Sequence, residues 1–429
     1  MTPGKTRRDL LIAFASQFGF KLLGFVVLAL MARRLSQAEY GKLMFALTLC
    51  GVTVLATDLG ASTDLSRRVA AVPGGARRRL GTVLSARLPL LAAYLVLLPA
   101  WVAATKPDAL AVAAAIAVFS VCRDVYRTYS SLFLGLHRIG YTVAAFGISL
   151  LVLVAAVAIG AVTGAGLAWM TGAHVLSGAV LVAVAAGITR VGIGPIRLRW
   201  GWDRMKDVFG GSVWLFGLSV AGLAHFAADT VMLGYLQPYE QVARYQAAAK
   251  LLEASQFAVR PLTLILMPVC AALAARQQWG DLRRLMHRMF AGTAIVGVLA
   301  WGFVALLALP IIRIVYTAAY DESAAVLRVL YLSVPGLYVA TVAMLLASST
   351  LRERRAVLIM TLGVALNVVL NLVAIPRYGA LGAAWVTVLS QSFVAVWLMG
   401  DAYRNVARHP RIAMEPERQL ETAIALRDD

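Results

Sequence analysis

Several ionisable side chains of this chain lie inside long apolar runs. Placing a charged side chain at the centre of a bilayer costs about 2.5–3.5 kcal/mol on insertion scales, so such residues are expected to face a cavity or a partner. A guanidinium can donate two parallel hydrogen bonds to a phosphate, and an ammonium attracts the same anion as a point charge. The basic members predict a cationic chamber for an anionic head group such as a phosphate or pyrophosphate: Lys21, Arg123, Arg127, Lys250 and Arg260.

Pairing within one helix is the alternative for part of this set. Lys250 and Glu253 are one helical turn apart and can neutralise each other, and Asp124 can neutralise Arg127 in the same way. Arg87, near the start of its apolar run, is expected to extend its guanidinium to the membrane interface. For the Lys250–Glu253 and Asp124–Arg127 pairs both interpretations, substrate contact and internal pairing, stay open.

Lys21 and Arg260 differ from the other cations, since neither has an acidic residue within one turn of its predicted helix. This favours substrate contact for both. Pro261 follows Arg260 and predicts a kink, because proline removes one helical hydrogen bond and its ring clashes with the preceding turn. The backbone groups freed at such a kink must be satisfied by protein or by a water-filled cavity.

His225 and Asp229 form a second constellation, four residues apart on one predicted helix. This spacing suits a relay for a proton or a small cation such as Na⁺, and satisfaction by neighbouring helices is the alternative. Asn367 and Asn371 are also four apart and are expected to join helices rather than bind a sugar. His174, alone on its apolar run, is expected to serve packing.

The composition defines the elements that must hold these residues. Of the 429 residues, 61% are hydrophobic and 14% are charged, and the mean hydropathy is +0.78. Soluble domains are about 45–50% apolar and about 25% charged, so the chain is predicted to be an all-α polytopic membrane protein. About 20 helical residues cross a bilayer. Twelve runs meet this length, at about 10–31, 42–60, 82–104, 108–133, 140–162, 165–189, 208–236, 246–275, 289–312, 325–350, 357–375 and 381–402.

The basic residues predict the orientation of these spans. Of the 40 lysines and arginines, 26 lie in the termini and one alternate set of connectors, and 7 lie in the other set. The positive-inside bias then places both termini in the cytoplasm and explains the net charge of +19 without nucleic-acid binding. The arginines of segment 66–80 can also meet anionic membrane lipids. The three cysteines lack metal-like spacing, so no metal site or other cofactor is expected.

The two halves of the chain resemble each other at an offset of 216 residues. GLAWMT at 166–171 aligns with GAAWVT at 382–387, and VAI at 157–159 aligns with VAI at 373–375. We therefore expect two six-helix bundles in a parallel pseudo-twofold repeat, with a binding site between them and one bundle rocking against the other. The predicted units are an N-terminal bundle, a cytoplasmic linker, a C-terminal bundle and a cytoplasmic tail, at 1–190, 191–207, 208–402 and 403–429.

Two segments carry a resemblance to a known family. The run that leads into Arg33-Arg34-Leu35 and then Glu39-Tyr40-Gly41 resembles the first helix pair of Wzx-type polysaccharide flippases. These belong to the MOP superfamily, together with MATE exporters and MurJ. Residues 229–236 with 245–250 are similar to the seventh and eighth helices of the same family, although Ala243 stands where the family pattern has glycine.

The resemblance implies a flippase of the bacterial inner membrane that serves cell-surface polysaccharide synthesis. Its substrate would be a polyprenyl-pyrophosphate-linked oligosaccharide, moved from the cytoplasmic to the outer leaflet by alternating access. Basic cavity residues would hold the pyrophosphate while the polyprenyl tail stays in lipid. Movement of H⁺ or Na⁺ would drive the return step, and polysaccharide polymerase machinery would be a partner.

Three other functions are alternatives. A MATE-like cation-coupled antiporter of drugs or metabolites would need an acidic cavity, whereas the buried excess here is basic. A membrane enzyme such as a glycan polymerase or ligase would need reactive groups in a sizeable outer loop, and the longest one, near 315–324, offers only Asp321 and Glu322. A scaffold would tolerate loss of the cavity charges. The chain is therefore predicted to be a transporter and not an enzyme.

Overall fold

The computed structural model describes residues 3–201, 206, 208–209, 227–256, 259–350 and 353–407, with backbone alone for 3–18, 260, 261, 264 and 353. Within these ranges the regular structure is helical, and residues 227–236 are helical as well. The longer helices are α1 Pro3–Arg34, α2 Gln37–Thr53, α3 Ala61–Ala71, α4 Ala76–Thr105, α5 Leu110–Gly135, α6 Ile139–Thr163, α7 Leu167–Gly192, α8 Tyr239–Ser255, α9 Arg260–Ala275, α10 Trp279–Val315, α11 Ser323–Tyr331, α12 Val334–Ser349 and α13 Glu353–Ala407.

The helices are suited to a membrane. In the described part of the chain, seven helical segments are long and apolar enough to cross a bilayer, and an eighth is the pair α11–α12, which is bent by 41°. The predicted class, an all-α polytopic membrane protein, is confirmed. The number of twelve spans and the internal repeat stay predictions.

Helix α13 contains a sharp turn at Gly379. Its 55 residues would form a rod of about 80 Å, far more than one bilayer requires. Gly379 adopts φ 53° and ψ −132°, a conformation that residues with a Cβ atom rarely adopt, and a Cβ there would also meet the Gln241 side chain. Gln241 accepts a hydrogen bond from the backbone N–H of Ala380 at 3.0 Å, which holds the turn against α8. The two arms of α13 correspond to the last two predicted spans.

The predicted eighth span is assigned as two helices. Helix α8 ends at Ser255 and α9 begins at Arg260, with Pro261 in the first turn of α9. Two tyrosines donate to backbone carbonyls near the end of α8. Tyr331 donates its hydroxyl to the carbonyl of Leu251 at 2.9 Å, and Tyr338 donates to that of Ser255 at 2.7 Å. A helix boundary therefore lies beside Pro261, and the kink expected there stays a prediction.

The helices form two groups, one before residue 201 and one after residue 227. Within the described residues, the most extensive packing between the groups joins α2 to α8. Glycine allows this close approach. A Cβ at Gly41 would collide with the carbonyl oxygen of Tyr239, and one at Gly234 would collide with the ring of Phe45.

The two groups meet at the end that holds the connectors with few basic residues, which we call the arginine-poor end. Arg33 donates from Nε to the carbonyl of Val315 at 3.0 Å, and Trp101 donates to the Tyr235 hydroxyl at 2.9 Å. Further hydrogen bonds between the groups at this end join Arg33 to Ile314, Gln37 to Ala319 and Tyr239 to Asp108. The two helix groups are therefore closed against each other at the arginine-poor end.

The close approach at Gly41 can be tested by substitution. Gly41→Ala should lower the thermal stability of the purified protein, because the new methyl group forces α2 away from the α8 backbone at a cost of about 1–3 kcal/mol. Gly51→Ala, on the same helix with open space around it, is the matched control and should be neutral or slightly stabilising. Equal melting temperatures for the two variants would contradict this description of the contact.

Candidate functional sites

Helix α5 presents two of the predicted cations on one face. Arg123 and Arg127, one turn apart, both have exposed side chains, and the guanidinium of Arg123 lies 5.6 Å from the centre of the Phe119 ring. Helix α5 packs against α2, α3, α4, α6 and α7. Because both side chains are exposed, their guanidinium groups could donate forked hydrogen bonds to phosphate groups of a ligand.

The other predicted cations have different settings. Lys21 is exposed on α1, which packs against α6. Lys250 forms an ion pair with Glu253, Nζ to Oε1 2.8 Å, as their spacing predicts, so its charge is locally balanced. Arg260 is the first residue of α9, beside the break in the eighth predicted span, and its side chain lies outside the described residues. The structure thus brings Arg123 and Arg127 together and gives Lys250 an acidic partner.

Arg87 lies inside the protein and not at the membrane interface. The prediction that it reaches the membrane interface is wrong, because its side chain is 1% exposed. Its guanidinium pairs with Asp58 Oδ1 at 3.0 Å and with Asp124, and it donates to the carbonyl of Thr57 at 3.1 Å. Further donor bonds reach the hydroxyls of Thr57, Ser62 and Thr128. The carboxylates of Asp124 on α5 and of Asp58 in the turn before α3 hold this arginine inside the protein.

This network changes the role expected for Asp124. The carboxylate is buried, and its Oδ2 atom forms an ion pair with Arg87. Its Oδ1 atom lies 3.7 Å from Arg127. The Arg127 side chain is 43% exposed, and the ion pair is its only one among described residues. Arg127 therefore retains N–H donors for an external anion, whereas those of Arg87 are directed at groups within the protein.

Asp229 is buried among neutral hydrogen-bond donors. Its oxygens accept from the Tyr245 hydroxyl at 2.5 Å, the Thr387 hydroxyl at 2.6 Å and the Asn371 amide at 2.5 Å. Asn371 also donates to Asn367 Oδ1 at 3.0 Å. Within the described part of the chain no lysine or arginine forms an ion pair with Asp229. A buried carboxylate without a cationic partner is suited to bind a proton or a small cation.

The structure tests only part of the predictions around Asp229. His225 lies outside the described residues, so its pairing with Asp229 stays a prediction. Asn367 and Asn371 join helices, as expected. Tyr245 and Thr387 were not predicted as partners of Asp229. The signal for Thr387 was its place as the last residue of the repeated GAAWVT segment.

His174 has a packing role, as predicted. It is 4% exposed, its Nδ1 lies 2.9 Å from the carbonyl oxygen of Met170, and its ring lies edge-on to Phe119 at 5.1 Å. These contacts satisfy one ring nitrogen and leave the imidazole enclosed by protein, with no ligand role.

Comparison with known proteins identifies the fold. The inward-facing conformation of a multidrug resistance MATE family transporter of the MOP superfamily aligns with a TM-score of 0.72, 13% identity and coverage of 92% of this chain and 96% of that one. Lipid II flippase MurJ in an inward closed conformation aligns with a TM-score of 0.66 and 13% identity, and the alignment covers 93% of this chain and 90% of that one. An outward-facing MATE family transporter of the MOP superfamily aligns with a TM-score of 0.57 and 14% identity, with coverage of 94% of each chain. No curated protein matches the chain with significant sequence similarity.

The chain therefore has the fold of these MATE and MurJ structures. The profile of the polysaccharide biosynthesis protein family matches residues 6–274, and that of the lipid II flippase MurJ matches residues 214–423. Because the first match spans more than half of the sequence, the chain belongs to the polysaccharide biosynthesis protein family. The resemblance to Wzx-type flippases is confirmed.

Removal of Arg87 should be severely destabilising. Arg87→Ala leaves Asp58 and Asp124 as buried charges without their partner, a loss of about 3–5 kcal/mol. We expect poor membrane expression and a large drop in melting temperature in detergent. Arg284→Ala removes an arginine from an exposed ion pair with Asp281 and should have little effect. An Arg87→Ala protein as stable as the Arg284→Ala control would refute a structural role for this network.

Proposed function

We propose that the protein is a flippase that moves a polyprenyl-(pyro)phosphate-linked oligosaccharide from the cytoplasmic to the outer leaflet for cell-surface polysaccharide synthesis. The observation that carries the proposal is the exposed guanidinium pair on α5 in a chain of the polysaccharide biosynthesis protein family. The match to the lipid II flippase profile over the C-terminal half supports a lipid-linked substrate.

The proposed site for the phosphate groups is the face of α5 that carries Arg123 and Arg127. Two exposed arginines one turn apart can each donate two hydrogen bonds to phosphate oxygens. Lys21 and Arg260 are proposed to complete the site, and Lys250 is a weaker candidate because Glu253 already balances its charge. The polyprenyl tail would remain in the surrounding lipid.

We further propose that the arginine-poor end faces outward and that both termini lie in the cytoplasm of a bacterial cell. The excess of basic residues in the opposite connectors supports this orientation. Closure of α2 against α8 at the outer end then corresponds to an inward-facing state. The higher TM-score against the inward-facing than the outward-facing MATE transporter supports the same assignment.

Asp229 is the proposed coupling site. Binding of H⁺ or Na⁺ would neutralise a carboxylate that now relies on neutral donors from α8 and both arms of α13. An ion bound there would change the packing of three elements at once, which offers a route from an ion gradient to movement of the helix group. Association with polysaccharide polymerase machinery is the partner that the family assignment favours.

Loss of the α5 arginines should impair translocation. In liposomes with a fluorescent polyprenyl-diphosphate-linked glycan, Arg123→Ala/Arg127→Ala should lower the initial rate by about 30-fold or more, because hydrogen bonds to charged groups contribute about 1.5–3 kcal/mol each. Protection of the label from a membrane-impermeant quencher measures the rate.

The matched control is Arg284→Ala/Arg288→Ala, which removes two exposed arginines one turn apart on α10. It should translocate at the wild-type rate. Lys21→Ala/Arg260→Ala tests the other two cations in the same assay. Wild-type rates for both cavity variants would exclude this phosphate site.

Neutralising Asp229 should separate transport from the ion gradient. Asp229→Asn keeps the size of the side chain and should fold, but stimulation of translocation by an imposed H⁺ or Na⁺ gradient should fall about tenfold. Asp281→Asn, an exposed carboxylate on α10, is the control and should respond as wild type. Full gradient stimulation of the Asp229→Asn protein would exclude the coupling role.

Cation-coupled drug export is the second candidate, because MATE transporters share the fold. The two exposed arginines of α5 argue against it, since they repel cationic drugs and attract anions. Drug efflux that depends on Asp229 and is indifferent to Arg123 and Arg127 would favour this candidate over the flippase.

A further inference from the structure

Four hydroxyl groups are buried at the arginine-poor end and have no hydrogen-bond partner of good geometry among the described residues, although those of Tyr40 and Tyr316 lie near each other. They belong to Tyr40, Tyr316, Tyr320 and Ser323, and none of these residues is more than 1% exposed. Buried hydroxyls are nearly always paired, because an unpaired one loses its hydrogen bonds to water without compensation. A cluster of four within the described residues therefore marks polar groups that the closed arrangement does not use.

The cluster spans the junction between the two helix groups. Tyr40 belongs to α2, and the other three residues lie between the end of α10 and the start of α11. The ring of Tyr40 stands edge-on to that of Tyr320, with centres 6.0 Å apart, and Tyr316 lies 5.3 Å from Tyr320. Separation of the groups at this end would move Tyr40 away with α2 and expose the rings and hydroxyls on both sides of the opening.

The chemistry of this opening suits a neutral sugar rather than a phosphate. Tyrosine combines an apolar ring face with a hydroxyl that donates and accepts hydrogen bonds. A sugar ring presents C–H groups on its faces and hydroxyls around its edge, so it can pack on such rings and pair with such hydroxyls. The neighbouring guanidinium of Arg244 is paired with Glu322 at 2.5 Å, which balances its charge.

We propose that Tyr40, Tyr316, Tyr320 and Ser323 form a carbohydrate-contacting site in the outward-open protein. Sugar residues of the translocated glycan replace the ring packing of the closed state and supply partners for the four hydroxyls. The inference rests on the proposed function and deepens it: the glycan is contacted at the outer opening, whereas the phosphate groups are contacted by α5.

Two tyrosines of the same helix group provide a matched control. The hydroxyls of Tyr331 and Tyr338 donate to backbone carbonyls at 2.9 and 2.7 Å, so their loss removes existing hydrogen bonds. Tyr331→Phe/Tyr338→Phe should therefore melt below wild type. A Tyr40→Phe/Tyr316→Phe/Tyr320→Phe triple variant removes unpaired hydroxyls only and should melt at or above wild type.

The test compares two probes in liposomes that contain the full-length protein. One probe is a polyprenyl diphosphate that carries a single sugar, and the other is the same lipid with an oligosaccharide. The triple variant should translocate the oligosaccharide lipid about tenfold more slowly relative to the single-sugar lipid, as expected for one or two lost hydrogen bonds. The control double variant should change both rates by the same factor.

The outcomes separate this inference from the proposed function. Wild-type protein that translocates neither probe overturns the proposed function, and the inference falls with it. An active wild type together with an unchanged ratio in the triple variant overturns the inference alone. The single variants Tyr40→Phe and Tyr320→Phe give the same ratio test if the triple variant does not fold.

A second measurement needs no substrate. Spin labels at positions 34 and 318, exposed on the two sides of the junction, report its opening as a distance distribution. Because the triple variant lacks the unpaired hydroxyls, its distribution should shift toward the short, closed distance. A shift toward longer distances would contradict the proposal.

Discussion

The hydrocarbon layer imposes the main constraint on this protein, because each charge inside it must be matched by protein groups or by a water-filled cavity. The two helix groups meet this constraint differently. In the first, Arg87 is enclosed by Asp58 and Asp124, and Arg127 supplies the second positive charge that balances the two carboxylates. In the second, the described partners of Asp229 are hydroxyl and amide donors, an arrangement suited to compensation of its charge by an ion. The Arg87 network favours a rigid packing of its helices, and the setting of Asp229 favours binding and release of an ion.

The closure at the arginine-poor end depends on features of a different kind. Backbones approach closely at Gly41, and aromatic rings fill the space beside them, next to a few hydrogen bonds such as that from Arg33 to the Val315 carbonyl. Among the described residues, four of its buried hydroxyls lack partners, and each such group costs about 1–3 kcal/mol when buried. A seal assembled in this way excludes water but is not deeply stable. This is the balance that an alternating-access transporter requires of a gate that must open in each cycle.

The sequence predicted the helices and the class of the protein because run length and composition are local properties. It also predicted the Lys250–Glu253 pair, since that contact arises within one helix. It failed for Arg87, whose partners are 29 and 37 residues away, because the spacing of residues along a chain does not show which helices lie side by side. The same limit hid Tyr245 and Thr387 as partners of Asp229.

The enclosed position of Arg87 also has a consequence for biogenesis. Asp58 precedes Arg87 in the chain, and Asp124 follows it. Since synthesis proceeds from the N-terminus, the arginine enters the bilayer when its first carboxylate is already there, and its second partner arrives with the next long helix. The order of charges along the sequence thus spares the nascent protein a stage in which a guanidinium lies alone in lipid.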